Sequence, residues 1–178
     1  MTTRFIFAGF GGQGVMLMGQ ILSLAGMLEG KHVTWMPSYG PEMRGGTANC
    51  TVVVSDEEVA SPVTSQAEVI VAMNIPSLLK FEKAVTPGGY LFINQSVVDR
   101  EPTRTDINIV KVPCNEIADA LGNLKVANMV MLGAVVERTK VVSINSIFSA
   151  LEKKLAGGKA SLIEINKEAI RKGMEAVK

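Results

Sequence analysis

The feature that most constrains the fold of this chain is a glycine-rich turn near its N-terminus. The apolar run Phe5–Ala8 leads into Gly9-Phe10-Gly11-Gly12-Gln13-Gly14, and a largely apolar helical pattern follows at once. A G-x-G-x-x-G turn between a strand and a helix is typical of a unit whose backbone N–H groups approach an anion. We expect Gly9 and Gly11 to permit the tight turn and Gly14 to let the helix pack close to the strand.

A dinucleotide-binding domain would carry an acidic residue about 20 residues further on, at the end of its second strand, to bind the ribose. That position falls in Val33–Pro37, which contains no acid; Glu29 precedes this strand and Glu42 follows it. The pattern therefore lacks the second half of a typical NAD or FAD site. A stand-alone nucleotide-binding protein remains an alternative, as does a turn that serves packing alone.

Composition limits the function classes. With 178 residues and a net charge of +1, the chain suits one domain spanning residues 1–178, and it has no strong field to attract nucleic acid or a membrane surface. No signal pattern or membrane-spanning run is evident, so we expect a cytoplasmic protein. Cys50 and Cys114 form no C-x-x-C motif and His32 is the sole histidine, so we expect no metal site or iron–sulfur cluster held by this chain alone.

Strand patterns alternate with helical patterns along the chain. This alternation predicts an α/β fold with a single, mostly parallel sheet, helices on both faces and a Rossmann-like first βαβ unit. The predicted strands are 4–9, 32–36, 47–54, 69–73, 90–94 and 107–112, and the predicted helices are 13–28, 77–84, 115–121, 126–139, 143–155 and 161–176. Because ligands bind at the carboxyl ends of such strands, the loops 9–14 and 37–46 and the segment after Met73 should converge.

The first predicted helix is apolar almost all round, which predicts burial on more than one side. Gly19, Ser23 and Gly26 form a stripe of small residues that permits close approach of another element. We hypothesise that this helix packs on the sheet with one face and on another subunit or layer with the other, so that Met18→Glu would disrupt assembly.

The second unusual segment is Pro37-Ser38-Tyr39-Gly40-Pro41-Glu42-Met43-Arg44-Gly45-Gly46. Its prolines and glycines specify the backbone in detail where a simple connection would suffice. Arg44 carries a permanent charge on a planar fork suited to a carboxylate, a phosphate or a pyrophosphate. Glu42 could orient Arg44 or bond a partner's group. A rigid turn with a local Glu–Arg pair is the structural alternative.

Together, Gly9–Gly14 and Ser38–Gly46 resemble the gamma subunit of 2-oxoacid:ferredoxin oxidoreductases. The segments Val53–Glu58, Ser61-Pro62 and Asn128–Ala134 extend the resemblance over about residues 4–137. A chain of this size looks most like the gamma subunit of the 2-oxoglutarate or branched-chain 2-oxoacid enzymes. The pyruvate and indolepyruvate enzymes carry a similar domain.

The resemblance implies one subunit of a complex that oxidatively decarboxylates a 2-oxoacid, joins the acyl group to coenzyme A and reduces ferredoxin. Thiamine diphosphate with magnesium, and the iron–sulfur clusters, are expected in partner chains: thiamine-binding alpha and beta subunits and a ferredoxin-like subunit. The isolated chain is then expected to be inactive.

Within that complex, we predict that Tyr39–Gly46 helps shape the active site. Arg44 and Glu42 are the candidate active-site contacts, and Tyr39, Arg44, Gly45 and Gly46 are candidate binding residues. Gly9, Gly11, Gly12 and Gly14 are expected to receive part of coenzyme A or a partner loop. Two rival functions remain, an assembly scaffold and the nucleotide-binding protein described above.

Overall fold

The structure is a computed structural model that describes residues 1–39 and 47–178. A six-stranded sheet and six α-helices make up the described part of the chain. The strands are β1 (Thr2–Phe10), β2 (His32–Tyr39), β3 (Thr47–Ser55), β4 (Ala67–Ala72), β5 (Val85–Asn94) and β6 (Asn108–Val112). The helices are α1 (Val15–Leu28), α2 (Ile75–Phe81), α3 (Cys114–Ala120), α4 (Ala127–Thr139), α5 (Ile144–Lys154) and α6 (Ala160–Glu175). The α/β prediction is confirmed.

The strand order is β2-β3-β1-β4-β5-β6, and β3 runs antiparallel to both of its neighbours. The β1–β4, β4–β5 and β5–β6 pairs are parallel, so the sheet is mostly parallel, as predicted. In the first βαβ unit β1 and β2 point the same way, but β3 is inserted between them. Antiparallel neighbours need no helical crossover, which suits the direct connection from β2 to β3.

Alternating side chains of β1 divide the core into two layers. Phe5 and Phe7 face a large cluster to which α1, α3, α4, α5 and α6 contribute. Ile6 and Ala8 face a smaller cluster that includes Leu78 of α2. Helices therefore lie on both faces of the sheet, as expected from the period of two in strand side chains.

Element boundaries differ most from the sequence prediction in β2, β5 and α2. β2 continues through Pro37 to Tyr39, which an edge strand tolerates because one side of its backbone needs no ladder partner. β5 includes the predicted turn 86–89, where Gly88 has φ 80°. α2 begins at Ile75, because the Asn74 side chain accepts a hydrogen bond from the Ser77 N–H and a proline suits the first turn.

The small-residue stripe of α1 packs against the sheet. A Cβ on Gly19 would lie 2.5 Å from Cys50 Sγ of β3, and one on Gly26 would lie 2.7 Å from Val33 Cγ1 of β2. Met18 is fully buried in the same layer. The proposed Met18→Glu change would therefore place a charge in the core and report on folding, so Met18 was the wrong position for an assembly test.

Candidate functional site

The carboxyl ends of β1, β4, β5 and β6 meet at one edge of the sheet because these strands are parallel. This edge also holds the turn Gly11–Gly14 and the first turn of α1. In open α/β sheets such an edge is where ligands bind. The site is therefore described from these strand ends outward.

Gln13 ties the glycine turn to the end of β4. Its Oε1 accepts a hydrogen bond from the Phe10 N–H at 2.6 Å and another from Asn74 Nδ2 at 3.2 Å. Its Nε2 donates to the Met73 carbonyl at 3.1 Å. The predicted convergence of loop 9–14 with the segment after Met73 is thus observed, with a glutamine side chain as the link.

The roles of the glycines differ from the sequence prediction. Gly12 and Gly14 have φ of 93° and 75°, so these two residues, rather than Gly9 and Gly11, adopt the left-handed backbone of the turn. A Cβ on Gly14 would overlap Asn128 Nδ2, so its close neighbour is α4 rather than β1. A Cβ on Gly9 would lie 2.7 Å from Gln13 Oε1, so Gly9 leaves room for the glutamine.

A polar cleft of about 130 Å³ opens at this edge and will be called the carboxamide cleft. Its lining residues are Gly12, Gln13, Met73, Asn94, Asn115, Leu124, Lys125, Ala127 and Asn128. Asn94 Nδ2 donates to Asn115 Oδ1 at 3.0 Å, and Asn128 Nδ2 donates to the Gly14 carbonyl at 3.2 Å. Carboxamides offer both donors and acceptors, and Lys125 adds a positive charge. The cleft can therefore bind a small polar or anionic group.

Two helices begin beside the carboxamide cleft. Gly14 precedes α1 and Val126 precedes α4, and neither residue supplies a side-chain cap. The first N–H groups of a helix lack intrahelical partners and carry partial positive charge. At α4 two of these groups already have acceptors, because the Ala127 N–H donates to the Leu124 carbonyl and the Met129 N–H donates to Asn128 Oδ1. The start of α1 therefore contributes more of the backbone preference for a negatively charged group.

An apolar groove of about 420 Å³ lies on the other side of the glycine turn. It is lined by Phe10, Gly11, Gly12, Gly14, Val15, Met16, Leu17, Gln20 and Ala48. Gly12 lines both the groove and the carboxamide cleft. The predicted glycine site thus has a polar side and an apolar side.

The second predicted motif can be placed only by its ends. Glu42, Arg44, Gly45 and Gly46 lie outside the described residues. Tyr39, the last residue of β2, is paired with Ala48, which on its other side is paired with Gly9. Two strand spacings, roughly 10 Å, therefore separate the Tyr39 and Gly9 backbones.

Sequence reasoning assigned no role to the carboxamides at the strand ends. Asn74 follows β4, Asn94 ends β5 and Asn115 comes three residues after β6. The predicted strands 69–73, 90–94 and 107–112 ended at or near these residues, so a polar side chain at successive strand ends was the available signal. Gln13 was part of the glycine motif, but its bonds depend on β4, which is distant in sequence.

Within residues 1–39 and 47–178, no group of three or more His, Cys, Asp or Glu side chains is placed to bind a metal ion. Both cysteines are buried. Burial raises the pKa of the Cys50 thiol to about 12 and also raises the pKa of Cys114. Over the same residues, no helix has the length and apolarity needed to cross a membrane.

Comparison with known proteins decides the family. The family model for pyruvate ferredoxin/flavodoxin oxidoreductase matches residues 4–176. The chain belongs to this family. The resemblance drawn from the two glycine-rich motifs is therefore confirmed.

Two relatives show how this domain occurs in longer and shorter proteins. Ketoisovalerate oxidoreductase subunit VorA of Methanothermobacter thermautotrophicus is 38% identical over 97% of this chain, which spans only 36% of that relative. The 2-oxoglutarate synthase subunit KorC of Methanothermobacter marburgensis is 35% identical over 89% of both chains. The domain thus matches either most of a relative or about a third of it.

Solved structures support the fold. The gamma subunit of a keto/oxoacid ferredoxin oxidoreductase from Geobacter sulfurreducens has a TM-score of 0.84 at 29% identity, covering 98% of both chains. A 2-oxoglutarate:ferredoxin oxidoreductase from Magnetococcus marinus, solved with 2-oxoglutarate, coenzyme A and succinyl-CoA bound, has a TM-score of 0.90 at 24% identity. It covers 99% of this chain and 31% of the matched chain. At that identity the second likeness shows the fold.

Proposed function

We propose that residues 1–178 form a single gamma-type domain of a heteromeric 2-oxoacid:ferredoxin oxidoreductase, which converts a 2-oxoacid to an acyl-CoA and reduces ferredoxin. The match of residues 4–176 to the pyruvate ferredoxin/flavodoxin oxidoreductase family carries this proposal. The relatives named for ketoisovalerate and 2-oxoglutarate support the 2-oxoacid class. We favour 2-oxoglutarate as substrate, with ketoisovalerate as its competitor.

In this proposal the chain contributes binding surface, and partner subunits hold the thiamine diphosphate, magnesium and iron–sulfur clusters. Thiamine-binding alpha and beta subunits and a ferredoxin-like subunit are the proposed partners. Arg44 is the proposed electrostatic contact to substrate, coenzyme A or a partner carboxylate, and Glu42 orients it. The residues Tyr39, Gly45 and Gly46 shape the same loop.

The carboxamide cleft and the turn with Gly9, Gly11, Gly12 and Gly14 are proposed to receive a phosphate-bearing part of coenzyme A. Coenzyme A bound in the Magnetococcus enzyme supports the choice of ligand. Lys125 supplies charge, and the carboxamides of Asn94 and Asn115 supply directional hydrogen bonds.

The test is an anaerobic pull-down of the tagged chain from its native host. The eluate is assayed for thiamine diphosphate, iron and acid-labile sulfide, and for coenzyme A-dependent viologen reduction with a panel of 2-oxoacids. We expect co-purifying subunits and activity that is highest with 2-oxoglutarate. A chain that elutes alone without cofactors or activity contradicts the proposal and favours the nucleotide-binding alternative.

An assembly scaffold is the second candidate, favoured by the uncharged outer surface of α1. It predicts that variants in either glycine motif lose assembly and never lose catalysis alone. Lys125→Ala in the assembled complex separates the two candidates. The coenzyme A role predicts a raised KM for coenzyme A with intact assembly, whereas the scaffold role predicts an unchanged KM.

A further inference from the structure

Helix α1 presents an apolar surface that the described part of the chain leaves partly uncovered. The side chains on this surface are Met16, Leu17, Gln20, Leu24, Met27 and Leu28, of which Met27 is 60% and Leu28 is 43% exposed. At 100° per residue they fall within a sector of about 120°, whose centre lies opposite the buried side chains of Val15, Met18 and Leu22. The five apolar members, Met16, Leu17, Leu24, Met27 and Leu28, will be called the α1 face.

Helix α1 contains no charged residue. Charged residues make up 20% of the whole chain, yet the 14 residues of α1 include none. By contrast, the exposed side of α6 carries ion pairs such as Arg171–Glu168 and Lys172–Glu175. Depletion of charge together with enrichment in methionine marks the buried centre of protein interfaces rather than a solvated surface.

The α1 face continues into the apolar groove at the carboxyl edge of the sheet. Met16 and Leu17 belong to both, and the groove extends to Gly12, which also lines the carboxamide cleft. A protein surface that covers α1 would therefore reach the rim of the candidate site. The groove volume of about 420 Å³ accommodates a large apolar side chain from that covering protein surface.

The longer relatives indicate what covers this surface. This chain spans 36% of the VorA relative and 31% of the matched Magnetococcus chain. In those proteins a further region about twice the length of this domain belongs to the same polypeptide. A linked region is held at a high effective concentration, which favours a shared interface with the domain.

Resting on the proposed function, we infer that the α1 face docks the region that accompanies this domain in its longer relatives. The occupant presents an uncharged, apolar surface and inserts a side chain into the groove beside Gly12. Its docking closes the apolar side of the glycine turn and leaves the carboxamide cleft as the polar entrance. The interface and the candidate site are then parts of one surface.

The test uses the full chain together with the host's counterpart of that region, co-expressed and purified through a tag on this chain. Leu17→Glu and Met27→Glu place a charge in the groove and at the far end of the α1 face. Leu79→Glu is the matched control, because Leu79 is a 53% exposed leucine on α2, across the sheet. Thermal unfolding of each isolated variant verifies folding.

We expect each α1 variant to lower the affinity for the counterpart at least 10-fold while its unfolding temperature stays near that of the unmodified chain. Leu79→Glu should retain full binding. Retained affinity in both α1 variants would overturn the inference. Sedimentation of the isolated chain provides a second check, because a dimer abolished by Met27→Glu would assign the face to a second copy instead.

Failure of the inference can be told apart from failure of the proposed function. If the unmodified complex reduces viologen with a 2-oxoacid but the α1 variants also assemble, only the docking surface is wrong. If the unmodified chain binds its counterpart through α1 and the complex has no such activity, only the proposed function is wrong.

Discussion

Two glycines in the turn before α1 share a left-handed backbone but differ in their surroundings. A Cβ on Gly12 would meet nothing within 4 Å, whereas one on Gly14 would overlap the Asn128 side chain. Gly12→Ala should cost about 1 kcal/mol of unfolding free energy through backbone strain alone. Gly14→Ala should cost about 1–3 kcal/mol more, because α4 must shift. Urea unfolding of both variants measures the difference, and equal losses would contradict the assigned contact with Asn128.

The buried thiol of Cys50 predicts a pH dependence. Burial raises its pKa to about 12 in the folded chain, above the ordinary thiol value near 8.5. The thiol therefore ionises more readily in the unfolded chain, and stability present below about pH 8.5 should decline as the pH rises towards 12. Because lysines and tyrosines also titrate there, the test compares the unmodified chain with Cys50→Ser. A smaller alkaline decline in Cys50→Ser is expected, and parallel curves would refute it.

At the residue scale, the sequence predicted where the glycine turn lies but not the contacts that it makes. The glycine turn was located because local spacing specifies a strand–loop–helix unit. The hydrogen bonds of Gln13 to Met73 and Asn74 join residues about 60 apart, which no local pattern contains. The same holds for the Gly14–Asn128 contact.

Helices α4 and α6 are in contact at the level of their backbones. A Cβ on Gly133 would overlap the Ile170 carbonyl, and a Cβ on Gly173 would overlap the Val130 carbonyl. Gly133→Ala and Gly173→Ala should each destabilise the chain by about 2 kcal/mol or more, although alanine is the better helix former. Chemical denaturation measures this, with the exposed Lys172→Ala as control. Stabilisation by either alanine would show that the helices are further apart.

The two alanine changes at this contact should also be non-additive. Both act on the same helix pair, so once one side chain has separated the helices the second meets less resistance. The double variant is expected to lose less stability than the sum of the single losses. Strict additivity would indicate that the two glycines occupy independent sites.

At the element scale, strands and helices were predictable, whereas the direction of one strand was not. The β-branched run 51–54 indicated β3, but the prediction of a mostly parallel sheet did not single it out as the reversed strand. Its direction follows from pairing with β1 and β2 on either side. The available signal was the connection 37–46, which contains no helical pattern and therefore suits an antiparallel neighbour.

At the scale of the whole molecule, the sheet brings the first glycine-rich motif and Tyr39, near the start of the second motif, to one edge. Tyr39 and Gly9 both pair with Ala48, which lines the apolar groove, so the segment with Arg44 begins on the groove side of the glycine turn. The sequence predicted from parallel topology that loops 9–14 and 37–46 converge, and of the second loop only the ends lie within the described residues. Although β3 lies between β1 and β2, these two strands run in the same direction, so their carboxyl ends lie at the same edge of the sheet.

This convergence makes Arg44 the sharpest test of the proposed role in the assembled complex. Loss of a buried bidentate arginine contact costs about 2–5 kcal/mol, much of it from the unpaired partner charge. Arg44→Ala should therefore lower kcat/KM for the 2-oxoacid or for coenzyme A by about 30-fold or more. Steady-state kinetics with each substrate varied in turn identifies which one is affected. Arg100→Ala, a change of an exposed arginine in the loop after β5, is the control.

Arg44→Lys then separates the two properties that an arginine supplies. Lysine keeps the positive charge but lacks the planar fork. If Arg44 binds a carboxylate or phosphate through two parallel hydrogen bonds, Arg44→Lys should recover only part of the lost kcat/KM. Full recovery would show that charge alone matters. An Arg44→Ala complex with unchanged assembly, turnover and coenzyme A affinity would exclude Arg44 from the site, and loss of assembly alone would favour the scaffold.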